Sequence, residues 1–215
     1  MFKPILVAAL LTALSGGVAL AQSPTSSAIP AAEGGKHHLA FRMQNWKTVH
    51  MHDAEQAKQH VETLKALGCE VKTAQHDGHI DVQARTTIWK LLALDSQGQV
   101  EQWQAWFAQA GFDSLHGHPP LENPAPVAGQ AHAEVVQYRS IDWKVAHLPN
   151  VQDSSQRTIL YRALGCETKS DQHSGHFDVS ARCPDWMEIE LPNHQAAHAW
   201  QDFLNKAGFE TKHNH

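Results

Sequence analysis

Histidine is the residue type in this sequence with the clearest chemical potential. The chain has 17 histidines among 215 residues, and five of their positions recur at a constant offset of 97 residues. Neutral imidazole is a common ligand of Zn²⁺, Cu²⁺ and Ni²⁺. The pattern therefore predicts a transition-metal site in each half of the chain, with ligands drawn from His50, His76, His79, His116 and His118 in one half and His147, His173, His176, His213 and His215 in the other.

A carboxylate accompanies these histidines in each half. Asp81 lies two residues after His79, and Asp178 lies two residues after His176. Alternate residues of a β-strand point to the same face, so each aspartate is expected to share a face with a histidine. The carboxylate could be a third metal ligand, or it could accept a hydrogen bond from a ligand imidazole and hold its orientation.

The offset of 97 residues is an internal duplication that extends well beyond the histidines. It holds without a gap from Trp46 to His118 of the first copy, and the motif LGCE at residues 67–70 recurs at residues 164–167. Such self-similarity indicates that each copy is one structural unit. We therefore predict two domains, at residues 39–118 and 135–215.

Each copy shows the same predicted order of secondary-structure elements. A strand at residues 46–51 precedes a helix that Asp53 would cap and Gly68 would end. A hairpin follows, then a turn at residues 86–88, a further strand, a second helix and a last strand at residues 112–118. The order β-α-β-β-β-α-β predicts tandem duplicated ferredoxin-like α+β domains with one extra strand, in which an antiparallel sheet carries the helices on one face.

The hairpin has a predictable register because of its turn. An Asp-Gly pair at residues 77–78, between two segments of alternating polarity, favours a two-residue turn. In this register Glu70 faces Arg85, an opposite-charge pair across the strands. His76 then faces His79 with Cα atoms ~5.5 Å apart, so two imidazoles could reach one metal ion.

The same register predicts a disulfide in the second copy. Cys166 faces Cys183 as a non-hydrogen-bonded pair, with Cα atoms ~4.5 Å apart, which lies within the range of disulfides. In the first copy Thr86 occupies the place of the second cysteine, so Cys69 is expected to be a free thiol.

Strand direction decides whether the remaining histidines join the hairpin. If the extra strand reverses the chain, His50 at the end of the first strand and His116 and His118 at the end of the last strand all lie at the hairpin end of the sheet. Without that strand the last histidines would lie at the opposite end. With it, one site per copy could draw on all five histidines.

Two further histidines lie outside the repeated set. His194 and His198 are one turn apart on the second helix of the second copy, where they could chelate. The first copy has Gln97 and Glu101 at these positions, so we interpret both histidines as exposed helix residues.

The N-terminal region predicts export. Residues 1–21 contain one basic residue, an apolar run and the sequence ALA at their end, which is typical of a secretory signal peptide. No later apolar run approaches the ~20 residues of a membrane span. Residues 22–38 are predicted to be a flexible tail, and the Pro/Ala-rich residues 119–134 a linker. We expect a periplasmic or secreted protein.

Composition and the absence of several motifs argue against some classes of function. Lys3 is the only charged residue of the predicted signal, so 16 basic and 22 acidic residues follow it, a balance that argues against a nucleic-acid partner. The sequence has no Gly-x-Ser-x-Gly elbow, phosphate loop, HExxH or Cys-x-x-Cys motif. We expect storage, delivery or sensing of a metal such as Zn or Cu rather than catalysis, although a hydrolase built on a His/Asp site with an open coordination position stays open.

A cell-envelope interaction module is the alternative hypothesis. The polar face of the sheet would present Trp46, His50, Asp81 and Arg85 to a glycan or a protein. The order of elements resembles that of SPOR-type peptidoglycan-binding domains, and this resemblance implies a glycan partner in the cell envelope.

Overall fold

Two α+β units of the same topology make up the computed structural model, which describes residues 37–121 and 133–213. The first unit contains β1 (His37–Met51), α1 (Ala54–Ala66), β2 (Glu70–His76), β3 (His79–Leu94), α2 (Gln97–Ala110) and β4 (Asp113–Leu115). The second contains β5 (Glu134–Leu148), α3 (Val151–Ala163), β6 (Glu167–His173), β7 (His176–Leu191), α4 (His194–Lys206) and β8 (Glu210–His213). The predicted fold class, tandem duplicated ferredoxin-like α+β domains, is confirmed.

Each unit is built on a four-stranded antiparallel sheet. The strand order is β2-β3-β1-β4 in the first unit and β6-β7-β5-β8 in the second, as in a split β-α-β arrangement. The long central strands pair from His37 opposite Leu94 to Met51 opposite Ile80. At about 3.3 Å per residue, the 15 residues of β1 span at most roughly 46 Å.

The predicted turn at residues 86–88 is wrong. The two strand segments expected on either side of it are halves of one strand, β3, which is bent where its register against β1 shifts between Phe41 and Lys47. An irregularity of this kind bends and twists a strand without reversing it. The second unit repeats the shift, and Pro184 of β7 lies there, a position at which a strand tolerates proline.

The helix starts follow the predicted capping signals. The Asp53 side chain accepts a hydrogen bond from the backbone N–H of Gln56 at 2.7 Å. Asn150 accepts one from Asp153 at 2.8 Å at the start of α3. Gly68, just past α1, has a φ of 72°, a conformation that glycine adopts at low steric cost.

Helices α1 and α2 cover one face of the first sheet. Leu64 and Phe107 of these helices pack with Phe41 and Leu92 of the central strands. The rings of Phe41 and Phe107 are stacked with centroids 4.7 Å apart. The hydrophobic core of the first unit therefore lies between its helices and its sheet, as predicted. None of the helices in the described ranges is long and apolar enough to cross a membrane.

Helix α3 joins the two units. Its residue Tyr161 lies in a buried cluster with Ala40 of β1 and Leu115 of β4. The side chain of Gln156 accepts a hydrogen bond from the Trp89 N–H at 2.8 Å and donates one to the Trp89 carbonyl at 3.1 Å. The second unit thus covers part of the other face of the first sheet.

The three cysteines are free thiols in the structure. Glu167 pairs with Arg182 in the predicted register, which places buried Cys166 beside buried Cys183. A hydrogen bond with Cys183, together with burial, raises the pKa of Cys166. The predicted disulfide is not formed in this structure. Burial raises the pKa of the free Cys69 thiol to about 11.

Several predicted segments lie outside the described residues. These are the signal peptide at residues 1–21 and most of the tail (22–38) and the linker (119–134). Within those predicted ranges, His37 and His38 belong to β1, and Glu134 begins β5. His215 also lies outside the described part of the chain.

Candidate metal centre

The first hairpin has the predicted register. Glu70 pairs with Arg85, and His76 pairs with His79. Residues 77–78 have φ angles of 48° and 80°, as a type I′ turn requires. Arg85 donates to both carboxylate oxygens of Glu70 at 2.9 and 2.8 Å. The second hairpin repeats both pairings, so the register prediction is confirmed in both units.

Asp81 is the centre of a histidine cluster in the first unit. Its carboxylate oxygens lie 2.5 Å from His50 Nδ1 and 3.3 Å from His76 Nε2. A third nitrogen, His79 Nε2, lies 3.5 Å away. The Asp81 side chain is 13% exposed, whereas those of His50 and His76 are 64% and 47% exposed. A largely buried carboxylate therefore stands beneath imidazoles that solvent can reach.

The backbone pairing explains this convergence. His50 of β1 lies directly opposite Asp81 of β3. His76 and His79 flank the turn on the same face, and their ring centroids are 4.4 Å apart. Three strands thus contribute side chains to one point. We call the four residues His50, His76, His79 and Asp81 the first hairpin site.

The first hairpin site could hold a metal ion. Ligand atoms of His50, His79 and Asp81 all lie within 4.8 Å of one another. Ligands of a tetrahedral ion with bonds of 2.0 to 2.1 Å stand about 3.3 Å apart. Small rotations of exposed imidazoles would close that difference. His76 stands beside His79 as the nearest candidate for a fourth ligand.

One histidine near this site was missed in the sequence. The His52 ring lies 6.0 Å from the His79 ring. Its counterpart in the second copy is Pro149, so the repeat carries no signal for it. Only its position one residue past the end of β1 could have suggested it.

The second hairpin site, formed by His147, His173, His176 and Asp178, is looser. His147 Nδ1 lies 2.7 Å from Asp178, and His173 Nε2 lies 3.7 Å from it. Within residues 133–213, His176 forms no ion pair with Asp178 inside 4 Å. The structure therefore brings together two histidines and the aspartate here, against three histidines in the first unit.

His116 and His118 do not join the hairpin site. Strand β4 pairs with the beginning of β1, where Leu115 lies opposite Ala40, whereas His50 lies near the end of that strand. His213 in β8 lies likewise opposite Val136. The predicted convergence of five histidines is wrong, because β3 does not reverse at residues 86–88.

A second histidine group lies at the opposite end of the second sheet. Nε2 of His194 and Nε2 of His198, both on α4, are 2.9 Å apart. The ring of His213 in β8 lies 5.4 and 5.6 Å from their rings. A carboxylate oxygen of Glu134 lies 2.9 Å from His213 Nε2. The interpretation of His194 and His198 as exposed helix residues missed these neighbours. The spacing of the two histidines, one helical turn apart, was the signal in the sequence for a shared site.

The corresponding end of the first unit also contains histidines. The His116 ring lies 5.6 Å from the His37 ring and 6.1 Å from the His118 ring. Burial, followed by the nearby His118, His37 and His38, lowers the pKa of His116 to about 3. His116 Nδ1 is buried without a hydrogen-bond partner among the described residues. His116 is therefore neutral at physiological pH.

This buried histidine predicts a loss of stability in mild acid. The folded state takes up a proton at His116 only near pH 3, whereas an unfolded histidine does so at about 6.5. The unfolded state therefore binds more protons below pH 6.5, and the contribution of His116 to the unfolding free energy falls by about 1.4 kcal/mol between pH 7.5 and 5.5. Urea unfolding of the metal-free protein at both pH values measures this fall in the unfolding free energy. His116→Gln should reduce the pH dependence by that amount, and the same change at exposed His52 should not; equal slopes in all three proteins would contradict the prediction.

Comparison with known proteins adds no assignment. The sequence matches no protein-family model, and no curated protein is significantly similar to it. The function is therefore argued from the geometry of these clusters.

Proposed function

We propose that the protein is an exported transition-metal-binding protein, with one site at the hairpin of each unit, that serves in storage, delivery or sensing. The observation that carries the proposal is the Asp81 carboxylate with three imidazole nitrogens within 3.5 Å of its oxygens. Zn²⁺ and Cu²⁺ are the ions that suit these nitrogen and oxygen donors. Residues 1–21, as a secretory signal, are the basis for the exported location.

The number of histidines around one carboxylate favours a metal over simple ion pairing. One carboxylate neutralises one imidazolium, and a second protonated ring beside it would be repelled by the first. Neutral rings instead offer lone pairs to a cation. Because Asp81 holds Nδ1 of His50, the Nε2 atom of that ring is left for the metal, as in carboxylate–histidine–metal arrangements.

Metal binding by the untagged full chain tests the proposal. We expect Zn²⁺ or Cu²⁺ to bind with submicromolar dissociation constants in equilibrium dialysis against a competing chelator. The pair His76→Ala and His79→Ala should remove the ion of the first unit, and His173→Ala with His176→Ala that of the second. Gln75→Ala and Gln172→Ala, on the same hairpins, are the matched controls. Equal metal content in all these proteins, or none in the wild type, would reject the hairpin sites.

A glycan or protein partner is the second candidate, supported by a repeated cation–aromatic surface. Lys72 Nζ and the Arg85 guanidinium lie 4.2 and 4.9 Å from the Trp46 ring centroid. In the second unit the equivalent residues Lys169 and Arg182 lie 4.0 and 5.0 Å from the Trp143 ring centroid. Such a surface suits an anionic glycan, although a sugar would compete with the cations for the ring. Retention on purified peptidoglycan, lost in Trp46→Ala with Trp143→Ala, tests this candidate.

A further inference from the structure

We propose that the second unit contains an additional Zn²⁺ site of different construction, in which His194, His198 and His213 bind the ion and Glu134 orients His213. We call these four residues the helix site. Ligand atoms of the three histidines all lie within 4.8 Å of one another. The site lies at the opposite end of the sheet from the second hairpin site, because Glu134 begins β5 and His147 lies near its end.

Two ligands come from the first turns of α4. Asn193 caps this helix by accepting a hydrogen bond from the Ala196 N–H at 2.9 Å, and residues four apart on a helix face the same side. His194 Nε2 and His198 Nε2 are therefore 2.9 Å apart. Coordination of one tetrahedral ion requires about 3.3 Å between such atoms, so a shift of a few tenths of an ångström suffices.

The Glu134 carboxylate contacts the rings of two of these histidines. One carboxylate oxygen lies 2.9 Å from His213 Nε2, and the other lies 3.6 Å from His194 Nδ1. With Nδ1 of His194 facing the carboxylate, its Nε2 faces His198. The contact with His213 is within hydrogen-bond distance, so Glu134 can orient that ring and increase its basicity, as carboxylates do for metal-binding histidines. The contact with His194 is longer than a hydrogen bond and acts through charge alone.

The local charge is compatible with a cation. The start of a helix carries partial positive charge and weakly repels a cation. The Glu134 carboxylate, 26% exposed, lies at this same point and opposes that repulsion. His213 is 1% exposed and His194 is 52% exposed, so the third ligand is buried in the protein while solvent reaches the helix ligands.

The first unit lacks this site at matching positions. Gln97 and Glu101 occupy the places of the helix histidines, and Gln97 donates a hydrogen bond to Glu101 at 3.3 Å. His37 stands in the place of Glu134. The first unit therefore offers neither the helix pair nor the orienting carboxylate, and it provides an internal control.

A chain without hairpin ligands tests the helix site separately from the proposed function. The untagged full chain with alanine at His76, His79, His173 and His176 should retain one Zn²⁺. Adding His194→Ala and His198→Ala, both at exposed positions, should weaken that binding by at least 100-fold. The control adds Gln97→Ala and Glu101→Ala instead and should retain the ion.

The outcomes of this experiment are distinct. Absence of Zn²⁺ from the chain without hairpin ligands, with its circular dichroism spectrum unchanged, would overturn the helix site. Retention of the ion after His194→Ala and His198→Ala would overturn it as well. If the chain without hairpin ligands instead bound as many ions as the wild type, and His194→Ala with His198→Ala removed one of them, the hairpin sites would fail and the helix site would stand.

Discussion

Asp81→Asn should weaken metal binding at the first hairpin site by about 10- to 100-fold, the usual effect of removing a carboxylate that orients metal ligands. The substitution keeps the size of the side chain but removes the charge that faces His50, His76 and His79 at 2.5 to 3.5 Å. A larger loss would identify the carboxylate as a direct ligand. Competition with a chelating dye measures the change, in a chain in which alanine replaces the helix histidines His194 and His198 and the second-hairpin histidines His173 and His176.

The same hairpin offers a matched control for Asp81→Asn. Asp77 is four residues away at the tip of the turn, has a φ of 48° and is exposed. Asparagine tolerates this left-handed conformation, so Asp77→Asn removes the same charge without disturbing the turn. It should leave affinity nearly unchanged. Equal losses in both variants would show that only the general charge of the hairpin matters, and would contradict a specific role for Asp81.

Gly117→Ala should destabilise the protein by about 2 to 6 kcal/mol through the junction of the two units. A Cβ atom at this position would overlap Tyr138 Oη and would lie 2.9 Å from the backbone of Leu164. Tyr138 is fully buried and donates a hydrogen bond to the Leu164 carbonyl at 2.8 Å. The methyl group must therefore displace the ring, which combines a cost of overpacking of about 1 to 3 kcal/mol with loss of a buried hydrogen bond of similar magnitude.

Urea unfolding of four variants checks the effect of Gly117→Ala. Gly98→Ala is the control, because no atom lies within 4 Å of its added Cβ and alanine in α2 should stabilise by about 0.5 to 1 kcal/mol. Tyr138→Phe removes the hydroxyl that the new methyl meets. The double variant of Gly117 and Tyr138 should therefore cost less than the sum of the single changes. If Gly117→Ala lowered the unfolding free energy no more than Gly98→Ala does, this account of the junction would be contradicted.

Local signals in the sequence were sufficient for the hairpin. The Asp-Gly turn and the alternation of polar and apolar residues determine which residues face each other, since a shift by one residue would expose the apolar side chains. The pairing of His76 with His79 and the ion pair of Glu70 with Arg85 follow from this register. The duplication indicated two units of the same kind, although it did not show that residues 79–94 form one continuous strand.

The tertiary structure decided where the remaining histidines lie. Residues 86–88 have the same local sequence whether the chain turns or bulges, and the pairing partner in β1 selects the bulge. That single choice moves His116 and His118 to the end of the sheet opposite the first hairpin site. The helix site depends even more on the fold, because Glu134, His194 and His213 come from β5, α4 and β8. The sequence by itself determined the contacts that a turn can specify, and only packing could determine those between elements that are distant along the chain.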